Sequence, residues 1–230
     1  AATAISLTCA GLDDLALAVL DEAASRKQKF AAAAHAPMAR AYGLVAQLQQ
    51  RDNKLESAYQ VSLLAAQLHP AAQSYNALGE LSAVLGNYDR ALEWWDRSLI
   101  QDGAQLRVHR KVAQAAFAAS DYKRVIDHLQ RVLQLDRGMN TLKRRDTLNL
   151  LGDLSNSTGQ LDQAAGFWRN SLFIADDQAQ IHRDLGLLLV RQNADVVLAL
   201  MHLEKATELA PPMREQLHDT IAQLKASRER

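Results

Sequence analysis

A single cysteine, Cys9, in 230 residues excludes both an internal disulfide framework and a Cys-based zinc cluster. One reduced thiol suits the cytoplasm and a disulfide-free periplasmic protein equally well, so the compartment stays open. Net charge is also missing, because 26 Lys and Arg stand against 26 Asp and Glu. That balance leaves no global basic field for nucleic acid or for an anionic membrane surface. No apolar run reaches the roughly 18 residues needed to cross a bilayer, so no direct membrane insertion is expected. The opening Ala1-Ala2-Thr3 has neither Met nor a basic segment. It is not that of a signal peptide and is expected to be a fragment boundary or a processed end, as in a soluble region of a membrane-anchored protein. Pro and Gly are scarce, at four and ten residues. Ala and Leu supply about a third of the chain and no segment alternates as a strand does, so the fold class is all-α.

What the chain does have is repetition. Leu78-Gly79, Gly86, Trp95, Ser98 and Leu99 recur as Leu151-Gly152, Gly159, Trp168, Ser171 and Leu172, each pair 73 positions apart. Between them lies a blurred copy, Val112-Ala113, Ser120, Tyr122, Leu129, Val132 and Leu133, offset by 34 from the first. A period of 34 signifies stacked helical hairpins, since one such hairpin cannot bury its apolar face alone. In the clearest copy, a first helix places Tyr75, Leu78, Gly79 and Ser82 on one face. Gly86-Asn87 breaks it. A second helix turns Tyr88, Ala91, Trp95, Ser98 and Leu99 inward, and Asp102-Gly103 closes the unit. Gly79 and Ala91 let the two backbones approach, and Trp95 fills the space beyond.

Tyr75-x2-Leu78-Gly79-x2-Ser82 followed by Ala91-x3-Trp95 resembles the tetratricopeptide pattern W-x2-L-G-x2-Y…A-x3-F…P. The resemblance covers residues 39 to 211 in five copies: 39–71, 72–105, 106–139, 145–178 and 179–211. It implies a right-handed α-solenoid of helix-turn-helix repeats. The first copy ends on Pro70, the third has Val125 in place of a small residue, and the last has an extra turn residue near Asn193. Five further residues, Asn140 to Arg144, separate the third and fourth copies and are expected to lengthen that junction. Residues 1–38 are expected to form a partial, irregular hairpin, with a short helix over Ala2–Ala10, a second from Leu12 to about Lys27 and an irregular link from Phe30 to Pro37. Residues 212–230 carry a narrow stripe of Met213, Leu217, Ile221 and Leu224 in a charged segment, the pattern of a C-terminal capping helix.

Catalytic and cofactor patterns do not surface. Seven His, at 35, 69, 109, 128, 182, 202 and 218, include no i, i+4 pair and no HExxH, so neither metal nor other cofactor is expected. GxSxG, GxxxxGK[ST] and GxGxxG are absent too, and the chain reads as a non-enzyme. His109 and His182 fall in the slot that Tyr75 fills and are expected to be packing residues. Asp176-Asp177 reads as a helix-boundary pair. Trp94, about 100° round the helix from Trp95, is expected to pack on the next repeat, with an exposed aromatic anchor as the alternative.

In tetratricopeptide proteins the first helices line a concave groove, and the resemblance assigns groove positions residue by residue. They are Arg40 and Gln47; Asn76 and Glu80; Arg107, Arg110, Lys111, Gln114 and Phe117; Asp146, Asn149, Asp153 and Asn156; and Arg183. Arg107, Arg110 and Lys111 share one turn, with Arg144 and Arg145 in the nearby insertion, and an acid-amide strip follows from Asp146 to Asn156. Such a surface suits a peptide or protein partner with an acidic segment or free carboxylate, a solvated charged face being the alternative. Gly43 and Ala77 stand where a chaperone-tail clamp needs polar groups, which argues against that clamp. The expected function is a non-catalytic protein–protein interaction scaffold. Its Ala- and Gln-rich style resembles bacterial tetratricopeptide proteins of envelope, pilus or exopolysaccharide secretion assemblies. The alternatives are a regulatory or targeting domain of a larger membrane protein or enzyme, and a self-assembling homo-oligomeric scaffold.

Overall fold

A computed structural model describes residues 2–11, 15, 16, 18, 19, 22 and 35–228. Among the described residues every regular element is a helix. In chain order these are α1 (Ala2–Cys9), α2 (His35–Arg51), α3 (Leu55–Leu68), α4 (Ala72–Val84), α5 (Tyr88–Gln101) and α6 (Leu106–Ala118). They continue as α7 (Tyr122–Leu135), α8 (Thr141–Ser157), α9 (Leu161–Ile174), α10 (Ala179–Arg191), α11 (Val196–Leu209) and α12 (Met213–Arg228). The chain divides into two compact units, Ala1–Asp121 and Tyr122–Arg230. The boundary falls within the blurred third copy. Most of the expected Leu12–Lys27 helix and of the Phe30–Pro37 link lies outside the described residues.

The hairpin turns share one construction. Asn53, Gly86, Ser120, Gly159 and Asn193 each adopt a positive φ, between 48° and 79°. The next residue's N–H then bonds a carbonyl five residues back, as in Asn87 to Ser82 and Gln160 to Ser155, both 2.8 Å. This left-handed C-terminal cap satisfies carbonyls that the ending helix leaves open. Asn87, Asn140 and Asp195 then cap the following helix, each side chain accepting from backbone N–H groups two or three residues on.

In the first unit, α2 packs on α3 and α4 on α5, around Tyr42, Val45, Ala58, Val61, Leu78 and Leu81. In the second unit, α8 packs on α9 and α10 on α11, around Ala164, Trp168, Leu185 and Leu188. Leu217 of α12 is buried against Leu203 and Ala206, with Met213, Ile221 and Leu224 half-buried beside it.

Close approach of helices depends on Gly79, Gly152 and Gly186. A Cβ at Gly79 would stand 2.8 Å from Trp95 Cε2, and one at Gly152 2.9 Å from Trp168 Cε2. At Gly186 it would meet Leu203 at 2.7 Å. Bulk on the second helix is thus matched by its absence on the first.

The middle junction, residues 136–140, is longer by one than those at 102–105 and 175–178, and the rest of the extra length is helix. Asn140 caps α8, and Thr141 to Arg144 form its first turn, making this helix 17 residues long. Arg144 Nη2 reaches back to donate to the Asp136 carbonyl at 3.2 Å. The inserted residues extend a helix because an N-cap Asn ahead of Thr-Leu-Lys-Arg favours helix over loop.

Candidate partner-binding surface

Arg40 and Gln47 project from α2 one helical face apart from the packed residues Tyr42, Val45 and Ala46, and both are exposed. They edge a cavity of about 450 Å³ that α2, α3 and the start of α4 enclose within the first unit. Its walls are mostly small, including Ala36, Ala39, Gly43, Ser62, Ala65 and Ala77. Ser62 is only 2% exposed, and its Oγ has no hydrogen-bond partner. Small walls on three helices leave room for a guest side chain, while Arg40 and Gln47 offer charge and hydrogen bonds at the rim.

The remaining groove positions of the first unit are largely engaged within the fold. Asn76 Nδ2 donates to Gln105 Oε1 at 2.6 Å. Gln105 Nε2 in turn donates to Ser98 Oγ at 2.9 Å and to the Asp102 carbonyl at 2.9 Å. This staple ties α4, the end of α5 and the entry to α6 together. Glu80 accepts from both Arg107 at 3.1 Å and Lys111 at 2.8 Å. The turn-long basic cluster on α6 is therefore partly neutralised across to α4. Arg110, Gln114 and Phe117 are exposed on the same helix.

In the second unit the same staple recurs. Asn149 Nδ2 donates to Gln178 Oε1 at 2.7 Å, Gln178 Nε2 donates to Ser171 Oγ at 3.1 Å, and Ser171 Oγ donates to Asn149 Oδ1. Asp153 accepts from Trp168 Nε1 at 3.1 Å. Its carboxyl is held above the usual carboxylate range, chiefly by desolvation; the Trp168 bond opposes the shift and the Asp184 charge adds to it. Asp146 pairs with Arg145 at 2.8 Å, Arg183 with Asp184 at 2.7 Å, and Asn156 accepts from Arg191. The acid-amide strip is thus built largely from helix-to-helix contacts. Arg144 and Arg145 belong to this unit, and Arg107, Arg110 and Lys111 to the first.

Trp94 corrects the sequence expectation in direction. Its Nε1 donates to Tyr59 OH of the preceding repeat at 3.3 Å, and its ring stacks on Tyr75 of its own repeat at 5.9 Å. The Arg97 guanidinium covers the indole at 4.6 Å.

Two histidines 20 positions apart in sequence, His182 and His202, meet as a buried pair. His182 Nε2 lies 3.0 Å from the Asp176 carbonyl and 3.1 Å from its Oδ1. Both are acceptors, so that nitrogen carries hydrogen and Nδ1 accepts from His202 Nδ1 at 2.9 Å. Desolvation, then the neighbouring His182 and Arg169, lowers His202 to about 4. The pair edges a second cavity between α9, α11 and α12, rimmed by Phe173, Val197 and Met201. No group of three or more His, Cys, Asp or Glu able to hold a metal ion occurs among the described residues. None of the helices there is long and apolar enough to cross a membrane.

No protein-family model and no curated protein matches the chain. Solved structures do. YrrB, described as a TPR protein with an unusual peptide-binding site, is 19% identical, with 87% of this chain and 97% of that chain covered at a TM-score of 0.52. MamA protein is 17% identical over 77% of this chain and 94% of that one, at 0.50. A chain of Naa15/Naa10 bound to HypK-THB is 15% identical at 0.62; 98% of this chain matches about a third of that one, 35%. At such identities the likeness is one of fold, an all-α tetratricopeptide-like array of paired helices.

Proposed function

We propose that the chain is a non-catalytic protein–protein interaction module that holds an extended segment of a partner between α2 and α4. The observation that carries this reading is the cavity of about 450 Å³ between these two first helices, open at Arg40 and Gln47. Small side chains make the space, and polar groups at its edge supply hydrogen bonds to a peptide backbone. Arg40 favours a segment with an acidic residue or a free carboxylate. YrrB, a protein of similar fold with a peptide-binding site of its own, is consistent with such use of the architecture. On this reading residues 39–211 act as five repeats and α12 as their cap. A place in a bacterial envelope, pilus or exopolysaccharide secretion assembly is the context that the resemblance to bacterial tetratricopeptide proteins implies.

Selection of random displayed peptides on the whole chain tests the reading. We expect enriched sequences whose binding weakens when Arg40 is replaced by Glu and Gln47 by Ala. A library that yields no binder, or binders indifferent to both replacements, would overturn it.

A further inference from the structure

The outer face of α11 departs from that of the other second helices. Ala58, Ala91, Val125, Ala164 and Ala199 share one inner position in the five copies, which sets their register. Two residues earlier stand Glu56, Asp89, Lys123 and Asp162 in the first four copies, and Val197 in the last. Two residues later stand Gln60, Glu93, Asp127 and Gly166, and then Met201. Four copies keep this face free of large apolar side chains, as a side turned to water requires, and the fifth does not. Val197 and Met201 are 53% and 52% exposed, and Phe173 of α9 is 93% exposed. All three border the cavity of about 740 Å³ between α9, α11 and α12, and buried Leu172 and Leu200 add to its apolar lining. Charge around it is uneven. Glu204 is held by Lys225 at 2.7 Å and Glu208 by Lys205 at 3.7 Å, while Asp176 accepts from His182 at 3.1 Å. Arg169 and Arg228 line the same cavity and have no acidic partner among the described residues.

We infer that this surface docks an amphipathic helix of a partner protein, with its apolar side on Phe173, Val197 and Met201 and an acidic flank beside Arg169 and Arg228. The surface lies within the second unit and shares no residue with the cavity between α2 and α4, so it is a second place of attachment. A helix is the form that suits it. The walls are helices whose backbone bonds are already made, so an extended segment would lose water from its own N–H and C=O groups without gaining partners. A helix brings those bonds with it and presents side chains alone. From Val197 to Glu208 the face of α11 runs about 16 Å, room for three turns laid along it. The two unpaired arginines set the sign of the partner, since an acidic flank gains pairs there and a basic one is repelled. Glu204 and Glu208 at the rim disfavour a flat anionic membrane as the occupant.

A displayed library of helical peptides with randomised faces, selected on the whole chain, tests the inference. Enriched helices should carry apolar residues at i, i+3, i+4 and i+7 and acidic residues beside them. Val197→Asp with Met201→Glu gives α11 the outer residues that Asp89 and Glu93 supply in the second copy, and both sites are exposed, so the fold is kept. In fluorescence anisotropy this variant should weaken a selected helix at least about tenfold. Arg169→Glu with Arg228→Glu should weaken it about threefold to tenfold, and Arg40→Glu with Gln47→Ala should leave it unchanged. A library that enriches no helix, winners with basic flanks, or equal affinity for the parent chain and the first two variants, each with native circular dichroism, would overturn the inference. So would a parent chain that dimerises in sedimentation while Val197→Asp with Met201→Glu stays monomeric, because a second copy would then be the occupant. Phosphatidylglycerol vesicles that bind the parent chain and not that variant would overturn it in favour of a membrane.

Discussion

Replacing Gly152 by Ala sets two opposed effects against each other within one helix. In an exposed helix interior the change gains about 1 kcal/mol, because Ala loses less backbone entropy on folding. At Gly152 the new methyl would stand 2.9 Å from Trp168 Cε2 and closer still to Nε1. Trp168 is 1% exposed and cannot swing into solvent. Overpacking of this kind costs about 1–3 kcal/mol. Displacing the ring also strains its hydrogen bond to Asp153, worth about 1 kcal/mol. The net expectation is a loss of about 2 kcal/mol. Gly166, on α9 of the same unit, has nothing within 4 Å of an added Cβ. Gly166→Ala should therefore stabilise by about 0.5–1 kcal/mol. The assay is urea denaturation followed by circular dichroism and tryptophan fluorescence on both variants. A stabilising Gly152→Ala, or equal responses at the two glycines, would refute the steric account of the Gly–Trp pairs.

Other consequences follow from the same geometry. Trp168→Phe loses both volume and the bond to Asp153, whereas Trp95 Nε1 is buried without an acceptor; denaturant midpoints should show Trp168→Phe costlier than Trp95→Phe by about 1–2 kcal/mol. Ser120 holds a φ of 59° where two sister turns carry glycine, so Ser120→Gly should raise stability by about 0.5–1 kcal/mol and Gly86→Ala lower it by about 1 kcal/mol in thermal melts. His202 titrates at about 4 when folded, below its ordinary 6.5. The unfolded chain thus binds the proton first, and stability present above pH about 6.5 is lost as pH falls toward 4, by about 2 kcal/mol after discounting for solvent at the cavity edge. His202→Gln should flatten that part of the stability–pH curve, and an unchanged slope would remove His202 as its source.

The hairpin architecture is legible in the sequence because it depends on local chemistry repeated at fixed spacing. A residue able to hold a positive φ stands at the same place in five turns, as Asn, Gly, Ser, Gly and Asn. Small residues opposite Trp95 and Trp168 mark the helix crossings. The five residues Asn140 to Arg144 are legible as extra length between copies but not as helix, although an N-cap and four helix-compatible residues form a turn of helix. Trp94 points to the wrong neighbour because helical phase gives a direction round the axis and not which adjacent hairpin fills that direction.

Candidate site residues are less legible, and the reason is physical. Helical register identifies the face a polar side chain occupies, but not whether the next hairpin's entry loop has already engaged it. Asn76 and Asn149 fall at positions that the repeat pattern assigns to the groove and yet serve as staples to Gln105 and Gln178. Glu80 and Asp153 occupy equivalent positions 73 residues apart and diverge by one methylene. The longer Glu80 reaches Arg107 and Lys111 and leaves the Trp95 indole unpaired, while the shorter Asp153 stays on Trp168. The cavity between α2, α3 and α4 is harder still to read, since the indole, asparagine, serine and glutamine of the sister hairpins are replaced there by Ser62, Gly43, Ala65 and Ala72, none of which draws notice alone. Only when the copies are superposed in register do the losses coincide at one place. A repeat array carries its own reference for what a complete junction contains, and the first hairpin is where that reference is not met.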